Sequence, residues 1–293
     1  MVAPLRSDNA VISVVIPSYN RKNFLRKALE SVLDQTLQAH EILVVDDGSN
    51  DHTITDLSSD FPTVTWLRQE NAGVSAARNH GIRKASGEWI ALFDSDDQWR
   101  KEKLEAQLRR LYTEPNSRAC HTEEKWIRNQ NQVNPPNYLD KSPRQLFKRS
   151  LRHCLICSSS CILHRSLFDE IGFFDESLPV CEDYDFWLRL LLHTSIELVD
   201  QPLTLKFGGH ADQLSTTHWG MDRYRIQAME KVLASEKISE EQTQWVLETL
   251  VQKCQVLEQG FAKRNKLNEA RLYSNKRKEF EKGLKPLQPT GLP

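Results

Sequence analysis

The chain has 293 residues, and its 39 lysines and arginines nearly balance its 40 aspartates and glutamates, for a formal net charge of −1. This length suits one large α/β domain with an appendage. The balanced charge argues against a general nucleic-acid-binding protein, which is usually more basic.

The sequence predicts neither a membrane span nor a secretion signal. A spanning helix needs about eighteen apolar residues in a row, and the start, MVAPLRSDNA, lacks the apolar core of a signal peptide. We therefore expect a cytoplasmic protein whose six cysteines are free thiols. Cys154, Cys157 and Cys161 superficially resemble a metal cluster. They lie in an apolar, β-prone run without a second Cys-x-x-Cys pair, so buried thiols are the preferred interpretation.

Strands and helices alternate in the first part of the chain. VISVVIPSYN begins as a strand buried on both faces, and a helix with an apolar stripe follows it. EILVVDD, TVTWL and WIALF are further strands, and the segment after QENAG is a helix. The alternation predicts a mostly parallel sheet flanked by helices, with ligands bound at the carboxyl ends of the strands. PSYN, DDGS and DSDD are therefore expected to face one crevice.

The later part of the chain is less regular. NQNQVNPPNYLDKSP is predicted to be a surface loop that could cover a ligand. LICSSSCILH is predicted to be a strand, and EDYDFWLRLLL opens a helix with acidic residues in its first turn. From about residue 218 onward the pattern is helical.

The acidic run from Asp94 to Asp97 directly follows the buried strand WIALF. Carboxylates gathered at a strand end repel each other unless a cation lies among them. Mg²⁺ or Mn²⁺, which prefer oxygen ligands, would explain the run economically. A solvated acidic turn is the alternative, but a second acidic strand end at Asp46 and Asp47 favours the metal site.

Several other polar residues follow the predicted strands. Asp47 can accept hydrogen bonds from a nucleobase or a ribose, and Tyr19 can stack on a base. Arg78 can pair with a diphosphate in bidentate fashion, or it is an ordinary surface arginine.

Two later segments add candidates. In CEDYDF, helix capping would account for at least one of Glu182, Asp183 and Asp185, and a remaining carboxylate could be a general base. His210 follows two glycines and could complete a metal site, or it is an ordinary loop histidine.

The ordered motifs PSYNR, DDGSND, NAGVSAARNHG, GEWIALFDSDD and a later ED before an aromatic-rich helix resemble those of the family 2 glycosyltransferases, which have the GT-A fold. The resemblance covers residues 11–215. It implies an inverting transfer of a hexose-type sugar from a nucleotide diphosphate sugar, often UDP-linked, to the hydroxyl of a glycan or lipid-linked acceptor. At the family level, this suggests bacterial surface polysaccharide or lipopolysaccharide synthesis.

The resemblance also implies roles for particular residues. Pro17, Tyr19 and Asp47 match the nucleoside-binding positions, and Arg78 matches an arginine on the diphosphate side. Asp94, Ser95 and Asp96 match the Asp-x-Asp motif, in which Asp96 is the expected direct ligand of Mn²⁺ or Mg²⁺ and Asp94 contributes to the same site. Asp183 matches the catalytic base. The sequence has no Gln-x-x-Arg-Trp motif, which argues against a processive synthase.

The predicted organisation follows from these motifs. We expect a flexible N-terminus at residues 1–10, a nucleotide-sugar-binding half at 11–115 and an acceptor-side half at 116–217. A helical extension at 218–285 and a disordered tail at 286–293 complete the chain. Residues 260–285 carry nine basic side chains against three acidic ones, so this segment is either a solvated helix face or a peripheral contact with the inner face of the cell membrane.

Two rival functions remain open at this point. Phosphatases that form an aspartyl-phosphate also place an Asp-x-Asp after a buried strand. Alternatively, the chain is a non-catalytic module that binds nucleotide sugars, because a fold alone does not fix an activity.

Overall fold

The computed structural model describes residues 10–136, 138–209 and 219–285. The tail predicted at 286–293 and all but the last residue of the predicted N-terminal arm lie outside these ranges. His210 also lies outside them, so its place at a metal site stays a prediction.

One nine-stranded sheet forms the centre of the fold. In chain order its strands are β1 (Ile12–Ser18), β2 (Glu41–Asp46), β3 (Val64–Arg68), β4 (Trp89–Leu92), β5 (Gln98–Trp99), β6 (Ala119–Arg128), β7 (Asn131–Val133), β8 (Ile162–His164) and β9 (Glu197–Gly208). Across the sheet they follow the order β3-β2-β1-β4-β8-β6-β9-β5, and β7 pairs with β6.

Helices flank this sheet and continue beyond it. Those in the described ranges are α1 (Lys22–Leu33), α2 (Thr53–Leu57), α3 (Val74–Lys84), α4 (Lys103–Thr113), α5 (Leu146–Ser150), α6 (Ser166–Ile171), α7 (Glu182–His193), α8 (Asp222–Leu233), α9 (Glu240–Lys263) and α10 (Leu267–Lys282). None of them is long and apolar enough to span a lipid bilayer.

The strands β3, β2, β1 and β4 are parallel, as the alternating pattern predicts. Every residue of β1 is buried, because helices cover both faces of this part of the sheet. Ile12, Val14 and Ile16 pack in one apolar cluster with α1, whereas Val15 packs in a second cluster with Ile82 of α3. Antiparallel pairing of β8 with β4 and with β6 then extends the sheet.

Helix α3 lies unusually close to the sheet at Gly81. A Cβ atom added at this glycine would meet Val15 Cγ1 at 2.5 Å and Val45 Cγ2 at 3.1 Å. The absence of a side chain at position 81 therefore sets the distance between α3 and the strands, and with it the position of Arg78 one turn earlier.

The strand predicted for LICSSSCILH is wrong over most of its length. Residues Ser158–Ser160 form a single turn of 3₁₀ helix, and only Ile162–His164 form a strand. Ser160 Oγ donates a hydrogen bond to the carbonyl oxygen of Cys157 at 2.7 Å. Such local bonds from serine compete with the sheet ladder and favour a turn.

Helix α7 belongs to two apolar clusters at once. Phe186 and Trp187 pack in the cluster beneath the sheet. Tyr184 and Leu188 pack with the C-terminal helices α8, α9 and α10. The C-terminal helices are therefore joined to the sheet through the element that begins with Glu182 and Asp183.

Candidate active site

Asp47, at the end of β2, organises the loop that precedes α3. Its carboxylate is buried, and Oδ1 accepts hydrogen bonds from Gln69 Nε2 at 2.8 Å and from the Ala72 N–H at 2.9 Å. Oδ2 accepts one from the Gly73 N–H at 2.9 Å. Two carboxylate oxygens offer about four acceptor positions, so about one remains for a donor from a bound base or ribose.

The loop after β1 lies beside the loop after β2. The Asn20 N–H donates to Ser49 Oγ at 2.8 Å, and Asn20 Oδ1 accepts from the Asn50 N–H at 2.9 Å. Pro17 is buried within β1, whereas the Tyr19 side chain is 47% exposed. Pro17 and Tyr19 thus lie at the carboxyl end of β1, and Asp47 lies at the carboxyl end of the neighbouring β2. The Tyr19 side chain is accessible to solvent.

Arg78 on α3 connects the acidic run after β4 with the start of α7. Its side chain is 3% exposed, and it projects from α3 between two carboxylates. Nη2 lies 2.9 Å from Asp94 Oδ1, and Nη1 lies 3.3 Å from Glu182 Oε1. The guanidinium also lies over the Phe174 ring, 4.7 Å from its centroid. The structure therefore excludes the surface-arginine alternative.

The four residues of the acidic run after β4 have different environments. The Asp94 side chain is 33% exposed beside Arg78, and Asp96 Oδ2 lies 2.7 Å from Arg21 Nη1. Ser95 is buried. Asp97 is also buried, and it accepts hydrogen bonds from Ser159 Oγ at 2.6 Å and from the Phe207 N–H at 3.0 Å.

These environments bear on the predicted metal ligands. Ligand atoms of Asp94, Asp97 and Cys157 lie within 4.8 Å of one another, so Asp94 is grouped with Asp97, while the predicted ligand Asp96 faces Arg21. Burial, together with the charges of Asp96 and Asp94, raises the pKa of Asp97 well above its usual value. The charge of Lys206 on β9 already opposes this shift. A bound cation would relieve more of the repulsion, and the carboxylate oxygens suit Mg²⁺ or Mn²⁺. Cys157 fits less well, because burial raises the pKa of its thiol and hard cations bind sulfur poorly.

The acidic residues at the start of α7 have distinct surroundings. Asp183 is partly exposed, and its Oδ2 accepts a hydrogen bond from Cys154 Sγ at 3.4 Å. Oδ1 accepts from the Tyr184 N–H at 2.7 Å. Glu182 is buried next to Asp183, and burial raises its pKa to about 7 although Arg78 opposes the shift.

Asp185 has a structural role that differs from the capping expected for this segment. The residue before the first turn of α7 is Cys181, and no side chain caps the helix there. Asp185 is buried and pairs with Arg189 at 2.7 Å and with Lys231 of α8 at 3.2 Å. Of the three candidates, Asp183 is the partly exposed carboxylate suited to exchange a proton with a ligand.

Sequence reasoning did not single out Arg21, and it did not predict the partners of Asp97, Cys154 and Glu182. Arg21, Asp97 and Glu182 stand inside motifs already singled out, but their partners lie too far along the chain for a local pattern to indicate. The sequence favours a buried thiol at Cys154, and only the fold brings it to Asp183.

The region from residue 13 to residue 172, more than half of the chain, matches the family described as Glycosyl transferase family 2. The chain belongs to this family. An uncharacterized glycosyltransferase of Rickettsia typhi is 32% identical over 212 residues, which make up 71% of this chain and 66% of that protein. A putative teichuronic acid biosynthesis glycosyltransferase of Bacillus subtilis is 39% identical over 104 residues, 33% of this chain and 40% of that protein. This chain thus covers less than two thirds of the length of each of these relatives.

Solved structures are similar to this family 2 member over nearly its whole length. A crystal structure of S. aureus TarS 1-349 in complex with UDP-GlcNAc has a TM-score of 0.65 and 18% identity, and the match covers 94% of this chain and 92% of that 1-349 chain. TarS in complex with UDP has a TM-score of 0.58 and 19% identity over 95% and 93% of the two chains. At such identities the likeness shows the fold, and it confirms the predicted GT-A type of α/β fold.

Proposed function

We propose that this family 2 member is an inverting glycosyltransferase. It would move a hexose-type sugar from a nucleotide diphosphate sugar, UDP-linked, to an acceptor hydroxyl in the synthesis of a bacterial surface polysaccharide or lipopolysaccharide. The observation that carries the proposal is the buried Arg78, held between Asp94 and Glu182. Arg78 connects the carboxyl ends of the parallel strands, which suit a nucleotide, to the start of α7. There the carboxylate of Asp183 is partly exposed.

The donor would bind on the side of the crevice formed by β1, β2 and α3. Tyr19 offers a ring for the base, and Asp47 offers its remaining acceptor position to an N–H or a hydroxyl. The guanidinium of Arg78 would pair with the diphosphate, whose oxygens match its planar donors. The complexes of TarS with UDP-GlcNAc and UDP support a UDP-linked donor by analogy of fold.

Asp94 and Asp96 would hold a Mn²⁺ or Mg²⁺ ion, with Asp97 in ligand range of Asp94 and Asp96 exchanging its contact with Arg21 for one with the ion. Such an ion would neutralise negative charge on the diphosphate. Asp183 would act on the acceptor, taking the proton from the attacking hydroxyl. Attack from the face opposite the departing diphosphate gives inversion. Holding both substrates in one crevice contributes alignment.

The family match favours a transferase over the aspartyl-phosphate phosphatase. The alternative is a non-catalytic module that binds nucleotide sugars. Only a measurement of turnover distinguishes it from an enzyme.

A donor screen tests the proposal. We expect a UDP-sugar with Mn²⁺ or Mg²⁺ to raise the melting temperature selectively and to be turned over with an acceptor or, slowly, with water. EDTA is expected to abolish turnover. Binding of UDP without any turnover on a broad acceptor panel would instead support the non-catalytic module.

Asp183→Asn tests the base. The variant should bind the donor nucleotide normally but lose transfer by about a hundredfold or more, because a positioned general base contributes about 10²–10⁴-fold. Asp169→Asn is the matched control, since Asp169 is exposed on α6. Normal turnover of Asp183→Asn would remove Asp183 from this role.

A further inference from the structure

A cavity lies where α8 meets α9. Its volume is about 440 Å³, within the usual range for small-molecule sites of about 300–1,000 Å³. Its walls include the exposed Trp219, which meets Phe261 edge to face at 5.7 Å, and two arginines, Arg225 and Arg264. We call this the α8–α9 pocket.

Cations outnumber anions around the α8–α9 pocket. Arg223 and Lys266 lie over the Trp219 ring, 4.4 Å and 4.9 Å from its centroid, and Arg225 and Arg264 line the cavity. The acid among the described lining residues, Asp222, is already bound by Lys253 at 2.8 Å and by Arg225 at 3.1 Å. Within the described part of the chain, the pocket lining therefore retains an excess of positive charge.

Arg225 has unused hydrogen-bonding capacity. Its Nη1 pairs with Asp222, but its Nε is buried and has no hydrogen-bond partner within the described ranges. A buried donor without a partner is costly. A ligand in the cavity would instead meet the quarter of the Arg225 side chain that is exposed, and guanidinium donors suit phosphate oxygens.

The α8–α9 pocket adjoins the start of α7, where the proposed base lies. Cys181 Sγ, just before α7, donates to the carbonyl oxygen of Met221 in the pocket wall at 3.8 Å. The Arg225 guanidinium lies 5.9 Å from the centroid of the Tyr184 ring, next to Asp183 in sequence. Contacts through Cys181 and Tyr184 thus place the pocket next to the helix end that carries Asp183.

We propose that the α8–α9 pocket binds a phosphate group of the acceptor. The identification of the ligand as an acceptor rests on the proposed function. Binding of phosphate to the pocket can be measured whether or not that function is correct. Two arginines, an exposed tryptophan and an excess of positive charge suit a phosphorylated sugar or a lipid phosphate, and they suit a neutral glycan less well.

Binding of glycerol phosphate, measured by calorimetry with saturating UDP present, tests the pocket. Saturating UDP keeps the probe out of the proposed donor site. We expect binding to the wild-type chain and about tenfold weaker binding to Arg264→Gln, since a hydrogen bond to a charged group contributes about one decade of affinity. Arg225→Gln is expected to weaken binding at least as much, provided that its circular dichroism is unchanged.

Arg271→Gln is the matched control, because Arg271 is exposed on α10 and does not line the cavity. Equal affinities for wild type, Arg264→Gln and Arg225→Gln would overturn the proposal. So would loss of glycerol phosphate binding when UDP is added, which would place the probe at the donor site.

Vesicles distinguish the sources of the phosphate. Binding to phosphatidylcholine vesicles that contain phosphatidic acid, weakened by Arg264→Gln but not by Arg271→Gln, would assign the site to a lipid phosphate. Glycerol phosphate binding without vesicle binding would assign it to a phosphorylated glycan. A chain that binds glycerol phosphate in this way but turns over no nucleotide sugar would refute the proposed function and leave the phosphate site standing.

Discussion

Arg78 is buried, and its carboxylate partners come from distant parts of the chain. Asp94 follows β4, and Glu182, which lies 104 residues further along than Arg78, begins α7. The motif NAG followed by a helix fits an exposed arginine equally well, because a local pattern carries no information about a partner at that separation.

Glu182 gives a prediction about pH. Burial raises its pKa to about 7 from a usual value of 4.5, so the folded chain holds this proton more tightly than the unfolded chain does. Stability linked to Glu182 is therefore present below pH 4.5 and is lost as the pH rises through about 7. Relative to wild type, Glu182→Gln should therefore gain in melting temperature as the pH rises through about 7 and change little in acid.

Melting curves across this pH range check the Glu182 prediction. The exposed Glu236→Gln should show no such pH-dependent gain. A stability difference between wild type and Glu182→Gln that stays constant with pH would contradict the assignment.

Cys154 gives a prediction about turnover. Its thiol donates to Asp183 Oδ2 at 3.4 Å, and burial followed by the charge of Asp183 raises the thiol pKa well above its usual value, so the donor keeps its proton. Cys154→Ala should lower the rate of transfer about two- to tenfold, the effect of one modest hydrogen bond. Cys154→Ser should recover much of the rate.

Steady-state kinetics and the pH–rate profile check the Cys154 prediction. Cys254→Ala, in the C-terminal helices, controls for loss of a buried thiol. An unchanged rate and pH profile in Cys154→Ala would show that this thiol does not position Asp183.

At the scale of the element, the sequence predicts best where the pattern is local and long. Strand β1 and helix α1 were predictable because a run of buried β-branched residues and an apolar stripe each specify one structure. The strand predicted for LICSSSCILH failed because its apolar ends suggested a strand, while the serine hydroxyls at its centre bond to the local backbone. The order of strands beyond β4 depends on mixed pairing, with β8 antiparallel to β4 and β6 and with β9 parallel to β6. No local pattern indicates this pairing.

Helix α3 gives a prediction about packing. Gly81→Ala would place a Cβ atom 2.5 Å from Val15 Cγ1, so the helix must move away from the sheet. We expect a loss of about 1–3 kcal/mol in the free energy of unfolding, the usual range for overpacking. Because Arg78 lies on the same helix, the affinity for the donor nucleotide should fall as well.

Urea unfolding and nucleotide binding check the Gly81 prediction together. Ala76→Ser, a small change on the same helix, is a control that should alter neither quantity. A Gly81→Ala variant with wild-type stability would mean that α3 can shift at no cost.

At the scale of the whole molecule, α7 connects the sheet to the C-terminal helices. Because Phe186 and Tyr184 lie in different apolar clusters, neither cluster is complete without this helix. We expect a single endotherm in differential scanning calorimetry, since loss of one cluster would expose the apolar surface of the other. Two separated endotherms would contradict the coupling.

The shared helix also constrains how such a chain can be recombined. A chimaera that takes its last three helices from a relative would need Tyr184 and Leu188 to match the incoming side chains. In the sequence of α7, these two residues alternate with Glu182, Asp183 and Asp185. A junction placed after α7 would pack Tyr184 and Leu188 against side chains that do not match them. The resulting shift of α7 would disturb the carboxylates that the junction was meant to preserve. Productive crossover points should therefore lie upstream of Cys181, with α7 and everything beyond it inherited as one module.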